Sequence, residues 1–314
     1  MRHSKVPGIL WGILLLLTIL DSKTAANSAN LAIEMCLRSL IPSLFPMIFL
    51  SGMLTGNLGG RYGLFLAGIL GGYPVGAKCI AQAYDQGSIS GNDALRMLGY
   101  CNHPGPAFIF GILSHLFESS LECWVIWLII IASAVFTAYT LGGKAVAVTP
   151  KGISPAESLH NSLYAIAKIC GWVILFRVLI GFAEKWVFHL LPENTPLILT
   201  GFMELTNGCL GLAQVAEPSH RFLLAVFFLT AGGICVAMQT ASVTGNLGLG
   251  MYFPGKVIQV SWALLLSMII LPWLYPGNRM MLPFVIIPAV SIIIARIRIT
   301  KFKNNSSNLS PAVV

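Results

Sequence analysis

The chain has 314 residues, of which 56% are hydrophobic and 10% charged, and its mean hydropathy is +0.81. Ordinary soluble domains carry about 25% charged residues, so this composition excludes a soluble globular enzyme or binding module and points to a polytopic membrane protein. The formal charge of +8 does not denote a nucleic-acid partner, because the basic residues lie scattered between apolar spans without a stripe of interleaved aromatics.

Arg2 and Lys5 lead into an apolar run at 9–20, with small residues at Ala25 and Ala26, a pattern that a secretory signal also has. Retention as a first membrane anchor is the expectation, because the chain runs on into another membrane element without a soluble domain. Residues 1–30 are therefore read as an anchor and linker. An amphipathic lead-in at 31–39, holding Glu34 and Arg38, enters a span at 40–54, where Pro42 and Pro46 should bend the helix. A Gly-rich apolar segment at 64–81 is broken by Gly71-Gly72-Tyr73-Pro74-Val75-Gly76-Ala77-Lys78. A short helix at 92–100 leads to a second break, Cys101-Asn102-His103-Pro104-Gly105-Pro106, and a span at 121–141 closes a first unit, 31–141.

A basic loop at 142–158, with Lys144 and Lys151, precedes a second unit at 159–275. Its parts follow the same order: a span at 159–183, then a broken segment at 196–215 holding Glu204-Leu205-Thr206-Asn207-Gly208. A helix starting at Arg221 follows, interrupted at Gly232-Gly233, and a span at 256–275 ends the unit. A last helix at 281–299, within 276–303, ends in Arg296, Arg298, Lys301 and Lys303, and the polar tail 304–314 reads as disordered. The long runs suit a hydrocarbon core of about 30 Å, which takes roughly 20 apolar residues of helix.

Gly76 to Cys101 and Gly208 to Gly233 are separated by the same 25 positions, which suggests a duplication. The positive-inside rule puts both termini and the central loop in the cytoplasm. If 9–20 crosses, the first unit starts outside and the second inside, so the repeats are inverted. The predicted fold is all-α, a polytopic membrane protein of two inverted repeats with broken or re-entrant helices. Irregular backbone at membrane depth survives only inside protein or along a wet cavity, and secondary transporters place their sites at such breaks near the midplane.

At these residues the chain resembles the YlbJ family of sporulation integral membrane proteins, within the nucleoside-recognition or Gate-domain group. The resemblance rests on Ile41-Pro42-Ser43-Leu44-Phe45-Pro46, the Gly71 to Lys78 run, Cys101-Asn102 with Gly105-Pro106, Glu204-Leu205-Thr206 with Gly208, and Gly232-Gly233 with Gln239. It implies a fold distantly related to concentrative nucleoside transporters. In a spore former it also implies movement of dipicolinic acid from mother cell to forespore. Two departures stand out: His103-Pro104 replace a second amide and a small residue, at the site, and Tyr73 replaces phenylalanine, away from its chemistry.

The candidate binding or coupling residues are Gly72, Pro74, Gly76, Lys78, Asn102, Gly105, Glu204, Thr206, Asn207, Gly233 and Gln239. Glu204 is the carboxylate in the interior of a long apolar stretch, and such a group marks a functional site by default. It either carries a proton, helps Thr206 and Asn207 hold Na+, or serves as a structural partner of a lysine or backbone amides. Lys78 follows a Pro-Gly break and either presents charge to an anion or snorkels to the headgroups. Asn102 and Gln239 offer a donor and an acceptor each, to a ligand or across helices. Lys78, Asn102, Glu204 and Gln239 are expected to share one cavity. Arg177, inside a span, pairs, snorkels or attracts an anion.

No metal is assigned. His103 stands alone, and Cys36, Cys79, Cys101, Cys123, Cys170, Cys209 and Cys235 occur singly, as small core residues. No catalytic residue or cofactor is expected beyond a coupling Na+ or H+, because the chain has neither a GxxxxGK[ST] loop nor an HExxH helix. The leading expectation is a secondary carrier or facilitator for a small organic anion. The alternatives are a nucleoside-type transporter and a non-transporting scaffold needed for spore formation. The expected partners are membrane lipid, an anionic small molecule, and further copies of the chain or other spore-membrane proteins, without nucleic acid. The location is the cell membrane, or the outer forespore membrane in a spore former.

Overall fold

The computed structural model describes residues 6–55, 60–142 and 153–276, and every regular element among them is a helix. In chain order these are α1 (Val6–Leu20), α2 (Ser22–Met35), α3 (Ile41–Thr55), α4 (Gly60–Gly71), α5 (Val75–Asp85), α6 (Gly91–Leu98), α7 (Pro106–Leu113) and α8 (Ser120–Leu141). There follow α9 (Pro155–Trp186), α10 (Thr195–Met203), α11 (Leu205–Gly211), α12 (Pro218–Ala231), α13 (Gly233–Thr244) and α14 (Tyr252–Leu274), with short turns between. Among the described residues, five helical runs are long and apolar enough to cross a membrane: Ser22–Leu54, Ser120–Leu141, Pro155–Trp186, Pro218–Leu247 and Tyr252–Leu274. Large apolar side chains such as Leu128, Leu163, Ile269 and Trp273 stand exposed on their outer faces. This architecture is compatible with an integral membrane protein. The expected span at 281–299, the tail 304–314 and the basic clusters at both ends and in the central loop lie outside the described residues.

The first long run differs from its sequence reading. Residues 22–30, expected to be linker, are helix, and α2 joins α3 through a π turn at Cys36–Leu40. Proline offers no N–H to the carbonyl four residues back and crowds it in α geometry. The turn widens immediately before Pro42, with the Ile41 N–H bonded to the Cys36 carbonyl. Pro46 is absorbed within α3.

This run packs antiparallel along α9. The Lys185 ammonium meets the Asp21 carboxylate at 2.6 Å, Gly181 lies against Ser28, the Cys36 and Cys170 thiols adjoin, and Ser158 Oγ donates to the Phe49 carbonyl at 3.0 Å. One number rises as the other falls, which defines the direction. Ser154 begins α9 by accepting the Glu157 N–H at 3.2 Å, with Pro155 in the first turn. Its 32 residues reach roughly 48 Å at 1.5 Å per residue, longer than the hydrocarbon core.

The run formed by α12 and α13 is the most buried of the five, with 67% of its most apolar stretch inside. α12 packs on α14 and α8. Among the described residues, four interruptions are buried throughout or nearly so, at 72–74, 99–105, 204 and 232. The two in each half meet. Gly72 has φ +67° and approaches the Gly105 amide so closely that a Cβ would stand 2.5 Å from its nitrogen. Gly68 and Gly76 embrace the Cys101 carbonyl, where a Cβ on either would lie 2.1 Å from the oxygen. Gly233, at φ +72°, abuts the Phe202 carbonyl in the same way, at 2.7 Å. The equal spacing seen in sequence does not carry over to contacts, because Gly76 touches Cys101 whereas Gly208 packs on Gly201.

Candidate functional site

The site is built where the breaks converge. Glu204 is extended, at φ −143° and ψ 119°, so the helical hydrogen-bonding pattern is interrupted there and the first amides of α11 are left free. Its own carboxylate takes them: Oε1 accepts from the Thr206 amide at 3.0 Å, and Oε2 from the Asn207 amide at 2.7 Å and Asn207 Nδ2 at 2.6 Å. A negative group at a helix N-terminus satisfies orphan donors and complements the helix dipole. Glu204 is 2% exposed, and among the described residues no Lys or Arg forms an ion pair with it. Of the structural partners open to it in sequence, backbone amides are the ones it has.

Beside it lies a cavity of about 30 Å³. A water needs roughly 10–15 Å³ measured this way, so the space suits about two waters or one small ion. Its polar rim consists of Glu204, Thr206 and Gln239. Gly72, Tyr73, Pro104 and Gly105 form the backbone side, and Leu40, Leu44, Phe108, Ile169, Val173 and Val236 complete an apolar wall. The cavity therefore touches both halves. Gln239 donates to the Cys235 Sγ at 3.4 Å, one turn earlier on α13.

The common cavity expected for Lys78, Asn102, Glu204 and Gln239 divides. Glu204 and Gln239 share the space, with Gly72, Gly105 and Thr206, while Asn207 holds the carboxylate from behind. Lys78 is directed elsewhere. It sits in the first turn of α5 and donates to Asn161 Oδ1 on α9 at 2.8 Å, so its ammonium is anchored between helices. Pro74 precedes α5, Gly76 serves the Cys101 contact and Gly233 the Phe202 contact. Arg177 forms a two-pronged pair with Glu184, at 3.0 and 3.1 Å. Asn102 is fully buried, with Nδ2 donating to Thr240 Oγ1 on α13 at 2.8 Å.

A second polar cluster surrounds Asn102, and sequence reading missed its centre. Lys256, the first residue of the expected last span of the second unit, is only 5% exposed. Its ammonium donates to the Asn102 carbonyl and, at 3.1 Å, to Gln259 Oε1. It faces the rings of Tyr73 at 5.2 Å and Tyr252 at 5.9 Å. The signal available in sequence was Lys256 and Gln259, three residues apart on an otherwise apolar helix. Tyr73 belongs to both places, since it lines the Glu204 cavity and meets the Lys256 ammonium. Its hydroxyl donates to the Leu229 carbonyl, a role that phenylalanine would not fill. Among the described residues, no three His, Cys, Asp or Glu side chains gather as a metal site.

No protein-family model, curated protein or solved structure matches this chain.

Proposed function

We propose that the protein is an integral membrane carrier for a small organic anion, working by alternating exposure of a buried site between two inverted halves. The observation that carries this reading is a buried carboxylate in a water-sized cavity walled by helix breaks from both halves. Ionisable groups inside a membrane are costly and mark ion and substrate paths. The antiparallel pairing of the Ser22–Leu54 run with α9 supports the inversion, since these helices open the two halves.

In this reading Glu204 is the coupling group. An anion would be repelled by an ionised carboxylate, and the space beside it is too small for a dicarboxylate or a nucleoside, so the cavity belongs to the coupling ion. We favour the proton over Na+. The carboxylate is surrounded by N–H donors, whereas hard cations take several oxygen ligands. By its resemblance to the YlbJ family, the carried anion is dipicolinic acid and the location, in a spore former, is the outer forespore membrane.

The test is uptake by liposomes holding the full-length protein, comparing dipicolinate with uridine at varied pH and Na+. Dipicolinate uptake that follows an imposed pH gradient supports the carrier. Uridine uptake in its place would shift the assignment to the nucleoside-type alternative, and uptake of neither, with no thermal stabilisation by either, counts for a scaffold.

A further inference from the structure

The polar cluster around Lys256 is incomplete in a particular way. Its members come from four places: Asn102 and His103 from the break before α7, Thr240 from α13, Tyr252 and Gln259 from α14, and the Tyr73 ring from the break before α5. Among the described residues, no carboxylate forms an ion pair with Lys256. A buried ammonium without a counter-charge is expensive in a low-dielectric interior.

Its neighbours are unsatisfied as well. Gln259 Nε2, both ring nitrogens of His103, the Tyr252 hydroxyl and Asn102 Oδ1 are buried without a hydrogen-bond partner. Buried polar atoms nearly always have partners, so several orphans around one charge point to a missing occupant. Their chemistry identifies its sign. The Gln259 amide cannot turn over to relieve itself, because its oxygen already faces the ammonium and its NH2 would then face a cation. The Tyr252 hydroxyl adjoins Thr240 and Asn102, yet it and Asn102 Oδ1 both stand without a hydrogen-bond partner. The unpaired donors are thus the two N–H groups of Gln259, the Tyr252 O–H and the remaining ammonium proton, while the N–H of neutral His103 has the Pro104 carbonyl beside it; they outnumber the unpaired acceptors, Asn102 Oδ1 and the other His103 nitrogen. A positively charged pocket with an excess of donors suits an acceptor-only anion, and a carboxylate accepts several such bonds.

We propose that Lys256, Gln259, His103 and Tyr252 form a carboxylate-binding site, bordered by the Tyr73 ring that also walls the Glu204 cavity. The aromatic faces of Tyr73 and Tyr252 hold the ammonium in this conformation through cation–π contacts, and the carboxylate replaces them when it enters. The molecule thus separates its two tasks, with the acid on one side of Tyr73 for coupling and the ammonium against its ring for recognition. The inference rests on the carrier reading in taking the occupant to be the carried anion, but binding is measurable without flux.

The experiment is thermal unfolding of the full-length protein in detergent micelles, titrated with benzoate and with its uncharged isostere benzamide. Benzoate is expected to raise Tm saturably and benzamide to leave it unchanged. Lys256→Met should weaken the apparent benzoate affinity about tenfold or more, while Lys168→Met, which alters a half-buried lysine bonded to the Ser242 carbonyl, should not. Equal effects of the two ligands, no saturable effect of benzoate, or wild-type affinity in Lys256→Met would overturn the site. Should Lys256→Met fail to accumulate, Gln259→Leu decides: severalfold weaker binding supports the proposal and unchanged binding overturns it. Binding without uptake in liposomes keeps the site and removes the carrier, and uptake indifferent to Lys256 does the reverse.

Discussion

The Tyr73 hydroxyl donates to the carbonyl of Leu229, joining the break before α5 to the last turn of α12, 156 positions away. Helix ends leave their last carbonyls without intrahelical donors. Gly232, in the left-handed region at φ +75°, stops α12 at Ala231, so the Leu229 carbonyl belongs to that final turn. A side chain from the other half thus supplies a donor at this helix end.

Tyr73→Phe should therefore destabilise the protein while keeping its packing. The ring remains, but a buried carbonyl loses its donor, at a cost of about 1–3 kcal/mol. Unfolding in a graded denaturing detergent would read this as an earlier midpoint. An unchanged midpoint would mean that the Leu229 carbonyl finds another donor.

Gly76→Ala should be far more damaging than its single methyl suggests. The added Cβ would stand 2.1 Å from the Cys101 carbonyl oxygen and 2.9 Å from the Gly68 Cα, and backbone cannot swing aside as a side chain can. Overpacking of this kind costs about 1–3 kcal/mol or more. Gly171→Ala is the control, since nothing lies within 4 Å of the new methyl and the helix gains propensity. Yield of monodisperse protein after solubilisation should fall for the first and hold or rise for the second.

What could be read in sequence followed from contrast with an apolar background. Glu204, the glycine-proline breaks and the long spans stand out because each departs from its neighbours, and Glu204 does lie beside a cavity with Gln239, Thr206, Gly72 and Gly105. Lys256 did not stand out, because a lysine at a span boundary reads as an interfacial anchor. Its burial depends on the Asn102 carbonyl, 154 positions away. Residues 22–30 were equally opaque, since Ser, Lys, Thr, Ala and Asn resemble a linker. Their small side chains instead let α2 approach α9, with Ala25, Ser28 and Ala32 buried along one face.

The Asp21 carboxyl, which precedes the Ser22–Leu54 run and meets Lys185 near the end of α9, gives a pH dependence. The Lys185 ammonium, by its hydrogen bond, holds the Asp21 carboxyl below its ordinary value of 3.8. A depressed carboxyl contributes stability above its unfolded pKa and loses it as pH falls through the folded value. The junction of α1 and α2 should thus stay anchored at neutral pH and loosen below about pH 4. Amide exchange over residues 21–28, corrected for intrinsic rates, should show protection lost on acidification in wild type. In Asp21→Asn the protection should be lower throughout and insensitive to this step.

Glu204 separates structure from coupling most sharply through two substitutions. Glu204→Gln keeps one oxygen able to accept from Thr206 or Asn207, so the start of α11 survives with one or two bonds lost, at about 1–3 kcal/mol. Glu204→Ala removes the cap altogether, a further loss of about 0.5–2 kcal/mol. If the carboxylate only caps α11, uptake should decline in step with stability across the two variants and keep its response to pH. If it carries the coupling proton, Glu204→Gln should abolish uptake driven by a pH gradient while accumulating near the wild-type level, and Glu204→Asp should restore part of both the cap and the pH response. Initial rates of dipicolinate uptake, normalised to folded protein and measured from about pH 5 to 8 in the same liposomes, a range that brackets neutral coupling, distinguish the two outcomes.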